Sequence, residues 1–118
     1  MKESIVGGKA FCYALKIIPL YQQLNCQKDF AIATQLLKCS TSIGANVEEA
    51  TAGFSRKDFA SKMSIASKEA RESRYWLRLI SESNLVKNAD ISNLLTDIEE
   101  IIKMLTKIVK TTQQESPT

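Results

Sequence analysis

The clearest pattern in the sequence is an apolar periodicity near the end of the chain, where residues 91–109 read ISNLLTDIEEIIKMLTKIV. Leucine, isoleucine and valine recur there at steps of three and four over nearly three heptads, as they do on one face of an α-helix. The charged residues between them fall on the other faces. This stretch predicts an amphipathic helix over about 90–110, with Asn88 or Asp90 as its N-cap.

The preceding periodic segment predicts a third helix over about 55–83. Ser55, followed three residues later by Asp58, approximates a capping box at its start, and Phe54 and Phe59 are expected to pack as a hydrophobic staple. The main apolar stripe consists of Phe59, Met63, Ala66, Ala70, Ser73, Leu77 and Ile80. A second stripe contains charges and consists of Lys62, Ile65, Glu69, Glu72, Trp76 and Leu79.

Two further helices are predicted in the first half of the chain, over about 8–25 and 30–52. Asp29 is the expected N-cap of the second, and Gly53 follows its end. The stripe of the second helix consists of Leu36, Ser40, Ile43, Val47 and Ala50, flanked by Ala33 and Leu37. The first helix is assigned an apolar face of Phe11, Leu15, Ile18, Tyr21 or Gln22, and Leu24. Pro19 predicts a kink or a break inside it.

Together these segments predict a single all-α domain over residues 1–118. Connectors of about two to six residues place neighbouring helices antiparallel, so the expected architecture is an antiparallel up-and-down four-helix bundle. The polar residues 111–118 are expected to fray. Only four glycines and two prolines are present, too few for the many turns of a β-sandwich or barrel.

Composition excludes most kinds of catalytic and metal site. Histidine is absent, which removes histidine-based acid–base catalysis and histidine-ligated metals. The three cysteines form no CxxC pair, so no zinc or redox motif is predicted. We expect no catalytic residue, metal or cofactor. The chain shows neither an export signal nor an apolar run long enough to span a membrane, so a cytoplasmic location and no membrane partner are expected.

Polar residues on the second and third helices predict a structural network at a helix or subunit interface. Carboxylates on facing helices also occur at di-metal sites, but those sites pair glutamate with histidine. Buried charge requires a partner, and Lys62, Lys68 or Arg71 is expected to neutralise a glutamate. The predicted network consists of Ser42, Asn46, Glu49, Lys62, Glu69 and Glu72. Trp76, beside Tyr75, is expected to pack rather than to stack on a nucleic-acid base.

Positive charge is concentrated on the third helix. Residues 55–84 contain seven basic and four acidic side chains, whereas the whole chain carries a net charge of +3. Helical spacing allows a basic ridge that is a candidate nucleic-acid-binding surface, and its members are Lys57, Lys68, Arg71, Arg74 and Arg78. The alternative is a solvated face of mixed charge.

Two blocks of sequence carry a resemblance to a known family. They are TSIGANVEEA at 41–50 and a spaced set formed by Ser55, Asp58, Phe59, Lys62, Ala66, KEA at 68–70, Glu72 and YWL at 75–77. The chain resembles the bacterial four-helix bundle family first noticed in intervening sequences of 23S ribosomal RNA genes. The accessory variability determinant proteins of diversity-generating retroelements are similar at a greater distance. This resemblance implies a non-enzymatic homopentamer and, for the retroelement relatives, a basic surface that binds nucleic acid and a reverse transcriptase.

Two functions remain open from the sequence. The first is a homo-oligomeric bundle, pentameric as the family resemblance implies, that binds RNA or DNA or docks a nucleic-acid enzyme. The alternative is a structural assembly module with no nucleic-acid partner. Pairing of the three arginines with nearby glutamates would favour the alternative; the arginines are Arg71, Arg74 and Arg78, and the glutamates are Glu69, Glu72 and Glu82. Independently of the family, the excess of apolar seams on the third and fourth helices predicts self-association.

Overall fold

The computed structural model describes residues 2–87 and 90–115, with side chains for residues 5–87 and 90–114. Its four α-helices are α1 (Lys2–Cys26), α2 (Phe30–Thr51), α3 (Arg56–Glu82) and α4 (Ile91–Glu115). No strand occurs within those ranges. The prediction of an all-helical chain with four helices is therefore confirmed.

The helices form a bundle in which each packs against two others: α2 lies between α1 and α3, and α4 packs on both α3 and α1. Contacts along every adjacent pair run in opposite chain directions. Ser40 bonds to Ser73 near the middle of α2 and α3, whereas Glu49 pairs with Lys62 further along α2 and earlier along α3. The same reversal relates Lys9 and Lys16 of α1 to their α4 partners, which places neighbouring helices antiparallel.

The predicted faces of α2, α3 and α4 are correct. Every member of the α2 stripe is buried, as are Met63, Ala66, Ala70, Ser73, Leu77 and Ile80 of α3. On α4, Ile98 and Leu105 are fully buried, and Ile91, Leu94, Ile101 and Ile102 are nearly so. Each of these helices has a polar side opposite its stripe, so periodicity alone distinguishes core from solvent.

The face assigned to α1 is wrong. Phe11, Leu15 and Ile18 are exposed, and the side that enters the core consists of Val6, Ala10, Tyr13, Ile17, Leu20 and Leu24. Leu24 is the only residue shared by the predicted and observed core faces. Because α1 is apolar on nearly all sides, more than one set of residues has helical spacing, and the pattern cannot identify the inward one.

Several helix boundaries differ from the predictions. Helix α1 begins at Lys2 and continues without a break through Pro19. Gly7 and Gly8 do not interrupt it, and Gly7 lies where a Cβ atom would be 3.5 Å from Val47. At the other end of the chain, residues 111–115 extend α4 rather than fray. Residues 116–118 of the predicted tail lie outside the described ranges.

The capping predictions have mixed outcomes. The Ser55 hydroxyl accepts a hydrogen bond from the Asp58 backbone N–H at 3.1 Å, as the capping-box pattern indicates. Asp29 occupies the N-cap of α2, but its side chain makes no cap hydrogen bond. The predicted staple is wrong because Phe54 is fully exposed. Asp90 accepts from the Asn93 backbone N–H at 3.4 Å, and Asn88 lies outside the described residues.

Candidate interaction surfaces

The solvent-facing side of α1 is a continuous uncharged surface. We call it the α1 outer face, and it consists of Ile5, Gly8, Phe11, Cys12, Leu15, Ile18, Pro19 and Gln22, all of them exposed. Phe11 is 66% exposed, and Ile5 and Leu15 are each 54% exposed. A helix that is apolar on all sides is normally buried on all sides. This face therefore has the character of a contact surface.

The charges of α1 border this face on its α4 side, where Ile5, Gly8 and Cys12 share a depression with the charged residues of the α1–α4 seam. Between residues 5 and 26 the charged residues are Lys9 and Lys16, and both point toward α4. Lys9 pairs with Glu100, and the Lys16 ammonium lies 2.8 Å from an Asp97 carboxylate oxygen. The hydrogen bond to Asp97 raises the pKa of Lys16. The ion pairs thus mark the α1–α4 edge of the outer face, and its remaining part, around Phe11, Leu15 and Ile18, is uncharged.

A second uncharged surface lies between α2 and α3. We call it the α2–α3 groove: an open depression of about 760 Å³ lined by Phe30, Ala31, Ile32, Thr34, Gln35 and Trp76. Phe30 is 56% exposed, and the nearby α3 residues Tyr75 and Leu79 are 55% and 39% exposed. No lining side chain carries a charge, so this groove is suited to an apolar occupant.

Trp76 is held within the bundle rather than extended into solvent. Its ring is half-buried against the core, and its indole N–H donates to a Glu72 carboxylate oxygen at 3.1 Å. The Tyr75 ring meets it edge-on, with ring centroids 5.3 Å apart. This arrangement agrees with the packing role expected for Trp76 and uses its single donor within α3.

The residues of the predicted polar network do not form one connected cluster. Lys62 and Glu49 form an ion pair between α3 and α2 at 2.8 Å, with both side chains substantially exposed. Asn46 donates to the Ser42 backbone carbonyl within α2, and Glu72 accepts from Trp76 as described. Burial and the neighbouring Glu72 raise the pKa of Glu69, opposed by Lys38. The interhelix link of this set is therefore Lys62–Glu49.

The buried polar cluster is formed by residues outside the predicted network: Ser40 and Ser73, which the sequence analysis placed on the core stripes, and Tyr13, to which it gave no role. The Ser73 hydroxyl lies 2.6 Å from the Tyr13 hydroxyl and 2.7 Å from the Ser40 hydroxyl, which joins α1, α2 and α3. All three side chains are almost completely buried. Serine at core positions of two stripes was the available signal, because a buried hydroxyl requires a partner. The third hydroxyl of the cluster, that of Tyr13, could not be identified from the sequence because the wrong face of α1 was assigned to the core.

The basic residues of α3 divide into two groups. Arg74 pairs with Glu99 of α4 at 2.6 Å, Arg78 with Glu82 at 3.5 Å, and Arg71 donates to the Thr106 hydroxyl at 3.0 Å. Lys57 and Lys68 are exposed. Two members of the predicted ridge are thus paired with carboxylates: Arg78 with Glu82, which the sequence analysis named, and Arg74 with Glu99, which it did not.

A row of lysines on α4 adds positive charge beside Arg71. Lys103, Lys107 and Lys110 follow one another at steps of four and three and are all exposed. The Arg71–Thr106 hydrogen bond places the α3 guanidinium next to this row. No ion pair to these lysines occurs among the described side chains. We call Arg71 and these lysines the α4 basic row. Sequence reasoning missed it because residues 85–118 contain more acidic than basic residues.

Neither a metal-binding group nor a spanning helix is found in the described part of the chain. No cluster of three or more cysteine, aspartate or glutamate side chains has the arrangement needed to hold a metal ion there. Within the same residues, no helix combines the length and apolarity required to cross a membrane. Cys12 and Cys26 are exposed free thiols, and Cys39 is a buried one.

These features define a small four-helix bundle whose distinctive chemistry lies on its outer surfaces. The chain belongs to the 23S rRNA-intervening sequence protein family, whose model matches residues 2–107. It is also similar to a crystal structure of a protein of unknown function from the S23 ribosomal protein family of Bacteroides thetaiotaomicron. That similarity has a TM-score of 0.86 and 40% sequence identity, and it covers 93% of this chain and 99% of the other. No curated protein matches the sequence significantly.

Proposed function

We propose that the protein is a non-enzymatic, homo-oligomeric interaction protein. The observation that supports this proposal is the α1 outer face, where Phe11, Leu15 and Ile18 lie exposed on a helix side without charge. Exposed apolar surface of this extent is characteristic of contact sites. The number of subunits expected is five, which follows from the family resemblance.

Self-association is tested by measuring mass in solution. Light scattering at micromolar concentration is expected to give a multiple of the 13.2 kDa chain mass, five-fold for a pentamer. Leu15→Glu places a charge at the centre of the α1 outer face and should lower the mass, while Thr96→Glu, an exposed change on α4, should not. A wild-type mass of 13.2 kDa would refute the proposal, and a dimer mass would refute the number five.

A second proposed activity is weak binding of RNA or DNA through positive charge. The α4 basic row supports it, since its lysines project on one helix face beside Arg71. Lysines on an open helix surface contact phosphates and do not read base edges, so binding should be insensitive to sequence. Repetition of the row in an oligomer would strengthen weak contacts by avidity.

Fluorescence anisotropy with single-stranded and duplex RNA and DNA tests this activity. Binding at about 50 mM salt should weaken steeply toward physiological salt, because association releases condensed counterions. Lys103→Glu combined with Lys107→Glu should abolish binding and leave the oligomer mass unchanged. Arg74→Glu combined with Arg78→Glu tests the α3 ridge separately and should have a smaller effect, since both arginines already pair with carboxylates. Absence of binding at low salt would leave an assembly module without a nucleic-acid partner.

A further inference from the structure

The two uncharged surfaces lie on different parts of the bundle. The α1 outer face belongs to one helix, which packs against α2 and α4. The α2–α3 groove lies at the boundary of two other helices and shares no residue with that face. Each copy of the chain therefore carries two distinct apolar surfaces, and contact between two α1 outer faces alone would leave the groove in water.

We propose that the α1 outer face of one copy packs into the α2–α3 groove of the next copy, in a head-to-tail contact. This inference rests on the proposed self-association. Phe11, Leu15 and Ile18 follow the i, i+4, i+7 spacing by which a helix inserts its apolar side into a groove. The α2–α3 groove is wide open to solvent, so the side of a helix can lie against it.

Charge supports the same pairing. Neither the α1 outer face nor the groove lining includes an aspartate, glutamate, lysine or arginine. An uncharged partner avoids the cost of burying an unpaired charge, which would arise if either surface met the basic or acidic sides of the bundle. The groove also supplies two uncharged polar side chains, Thr34 and Gln35, suited to the edge of a contact.

The exposed apolar area is sufficient for a stable contact. From the exposed fractions of Ile5, Phe11, Leu15 and Ile18, the α1 outer face offers about 400 Å² of apolar side-chain surface. Phe30, Tyr75, Leu79 and the exposed part of Trp76 offer about as much on the groove side. Interfaces are a little over half apolar, so a combined apolar area of about 800 Å² corresponds to about 1,400 Å² in total, within the usual range for specific contacts.

A head-to-tail contact has a consequence for assembly. Each copy uses one surface on the preceding neighbour and the other on the following neighbour, so growth ends only when a ring closes. A change on either surface should therefore break the assembly by itself. Two chains that are damaged on opposite surfaces should still form one intact contact between them.

This complementation is the test. Leu15→Glu damages the α1 outer face and Thr34→Glu damages the groove; both positions are exposed, so folding should be preserved and can be verified by circular dichroism. Each variant alone should have the mass of a single chain, 13.2 kDa. Mixed in equal amounts, they should form a dimer of twice that mass. Thr96→Glu, an exposed change on α4 away from both surfaces, is the matched control and should assemble normally.

Four outcomes would overturn the inference. Normal assembly of Thr34→Glu together with loss of assembly in Leu15→Glu would place the partner of α1 outside the groove, and would leave the proposed self-association intact. Normal assembly of both variants would place the contact elsewhere. Two monomeric variants that fail to combine would exclude the head-to-tail pairing. A monomeric wild-type protein would refute both the proposed function and this inference. Ile18→Glu and Ala31→Glu form a second pair should either first variant fail to fold.

Discussion

Helices α1 and α4 have the same length, 25 residues, but they differ in what covers their outer sides. On α4 the large apolar residues face the core, and the exposed side carries Lys103, Lys107 and Lys110. On α1 the core side is filled by Val6, Tyr13, Ile17 and others, and the exposed side is again apolar. The large apolar side chains of α4 are covered by its own bundle, whereas α1 has the composition of a helix that is buried on both sides.

Overall hydrophobicity and apolar periodicity therefore report different properties of a helix. The first reports how much of its surface is apolar, and the second reports which side faces the core. The periodicity of α4 correctly identifies its core face because polar residues occupy the rest of its surface. In α1 an apolar residue is available in almost every direction, so periodicity selects an outward set as readily as an inward one. The exposed apolar side chains that cause this failure on α1 are the same ones on which the proposed self-association rests.

The largest expected effect is on the free energy of unfolding, and it appears when one leucine of α4 and one leucine of α1 are each replaced by alanine. Leu105 of α4 is fully buried and Leu15 of α1 is 54% exposed. Leu105→Ala should lower the free energy of unfolding by about 2–5 kcal/mol, through lost transfer energy and a cavity. Leu15→Ala should change folding of the single chain by less than about 1 kcal/mol and act instead on association.

Urea unfolding below the concentration of assembly measures the first quantity, and light scattering measures the second. Equal losses of folding stability for the two variants would contradict the conclusion that Leu105 packs in the core of the single chain and that Leu15 does not. An unchanged urea midpoint for Leu105→Ala would show that α4 is not essential to the core.

A smaller effect on the free energy of unfolding is expected at alkaline pH. It depends on two buried groups, Tyr13 on the core side of α1 and Cys39 on α2. Burial raises the pKa of the Tyr13 phenol well above its usual 10.0, against the lowering influence of hydrogen bonds from Ser73 and Ser40. Burial likewise raises the pKa of the Cys39 thiol from 9.0 to about 12. Both neutral forms are favoured in the folded chain, so this stabilisation is complete below pH 9 and is lost as pH rises and the unfolded chain ionises.

Unfolding free energies measured from pH 8 to 11 should therefore decline from about pH 9, with each group contributing at most about 1.4 kcal/mol per pH unit. Cys39→Ala should delay the onset, and Tyr13→Phe should flatten the profile above pH 10. Lysine titration affects wild type and variants alike, so the difference between profiles isolates each group. Superimposable profiles would contradict the buried, neutral state of these side chains.

The smallest expected effect concerns the charged outer surface shared by α3 and α4. The Arg74–Glu99 ion pair is partly exposed, with 33% and 48% of the two side chains accessible. Arg74→Ala should lower the free energy of unfolding by about 0.2–1 kcal/mol, and less at high salt. A double-mutant cycle with Glu99→Ala measures the coupling. A coupling energy of several kcal/mol would mean that this ion pair is shielded from solvent, and would contradict its partly exposed position.

The sequence was most informative where one side of a helix differs strongly from the other. The stripes of α2, α3 and α4 and the Ser55 cap follow from spacing and side-chain chemistry. The interaction surfaces required three-dimensional information. The α4 basic row depends on Arg71 of α3 lying beside Thr106, a proximity between distant parts of the chain. The buried hydroxyl cluster likewise depends on the rotation of α1, which places Tyr13 rather than Phe11 in the core.

Pro19 adds a directional polar feature to the apolar side of α1. Proline has no backbone N–H, so the carbonyl of Leu15 loses the donor that a residue four positions later normally supplies. Leu15 and Pro19 are both exposed on the outer face. A surface that covers this carbonyl has to provide a donor for it, because buried backbone acceptors are almost always satisfied. The Gln35 amide and the Thr34 hydroxyl of the α2–α3 groove are donors of that kind. The Leu15 carbonyl would therefore fix the position along α1 at which a partner surface can bind this otherwise apolar face.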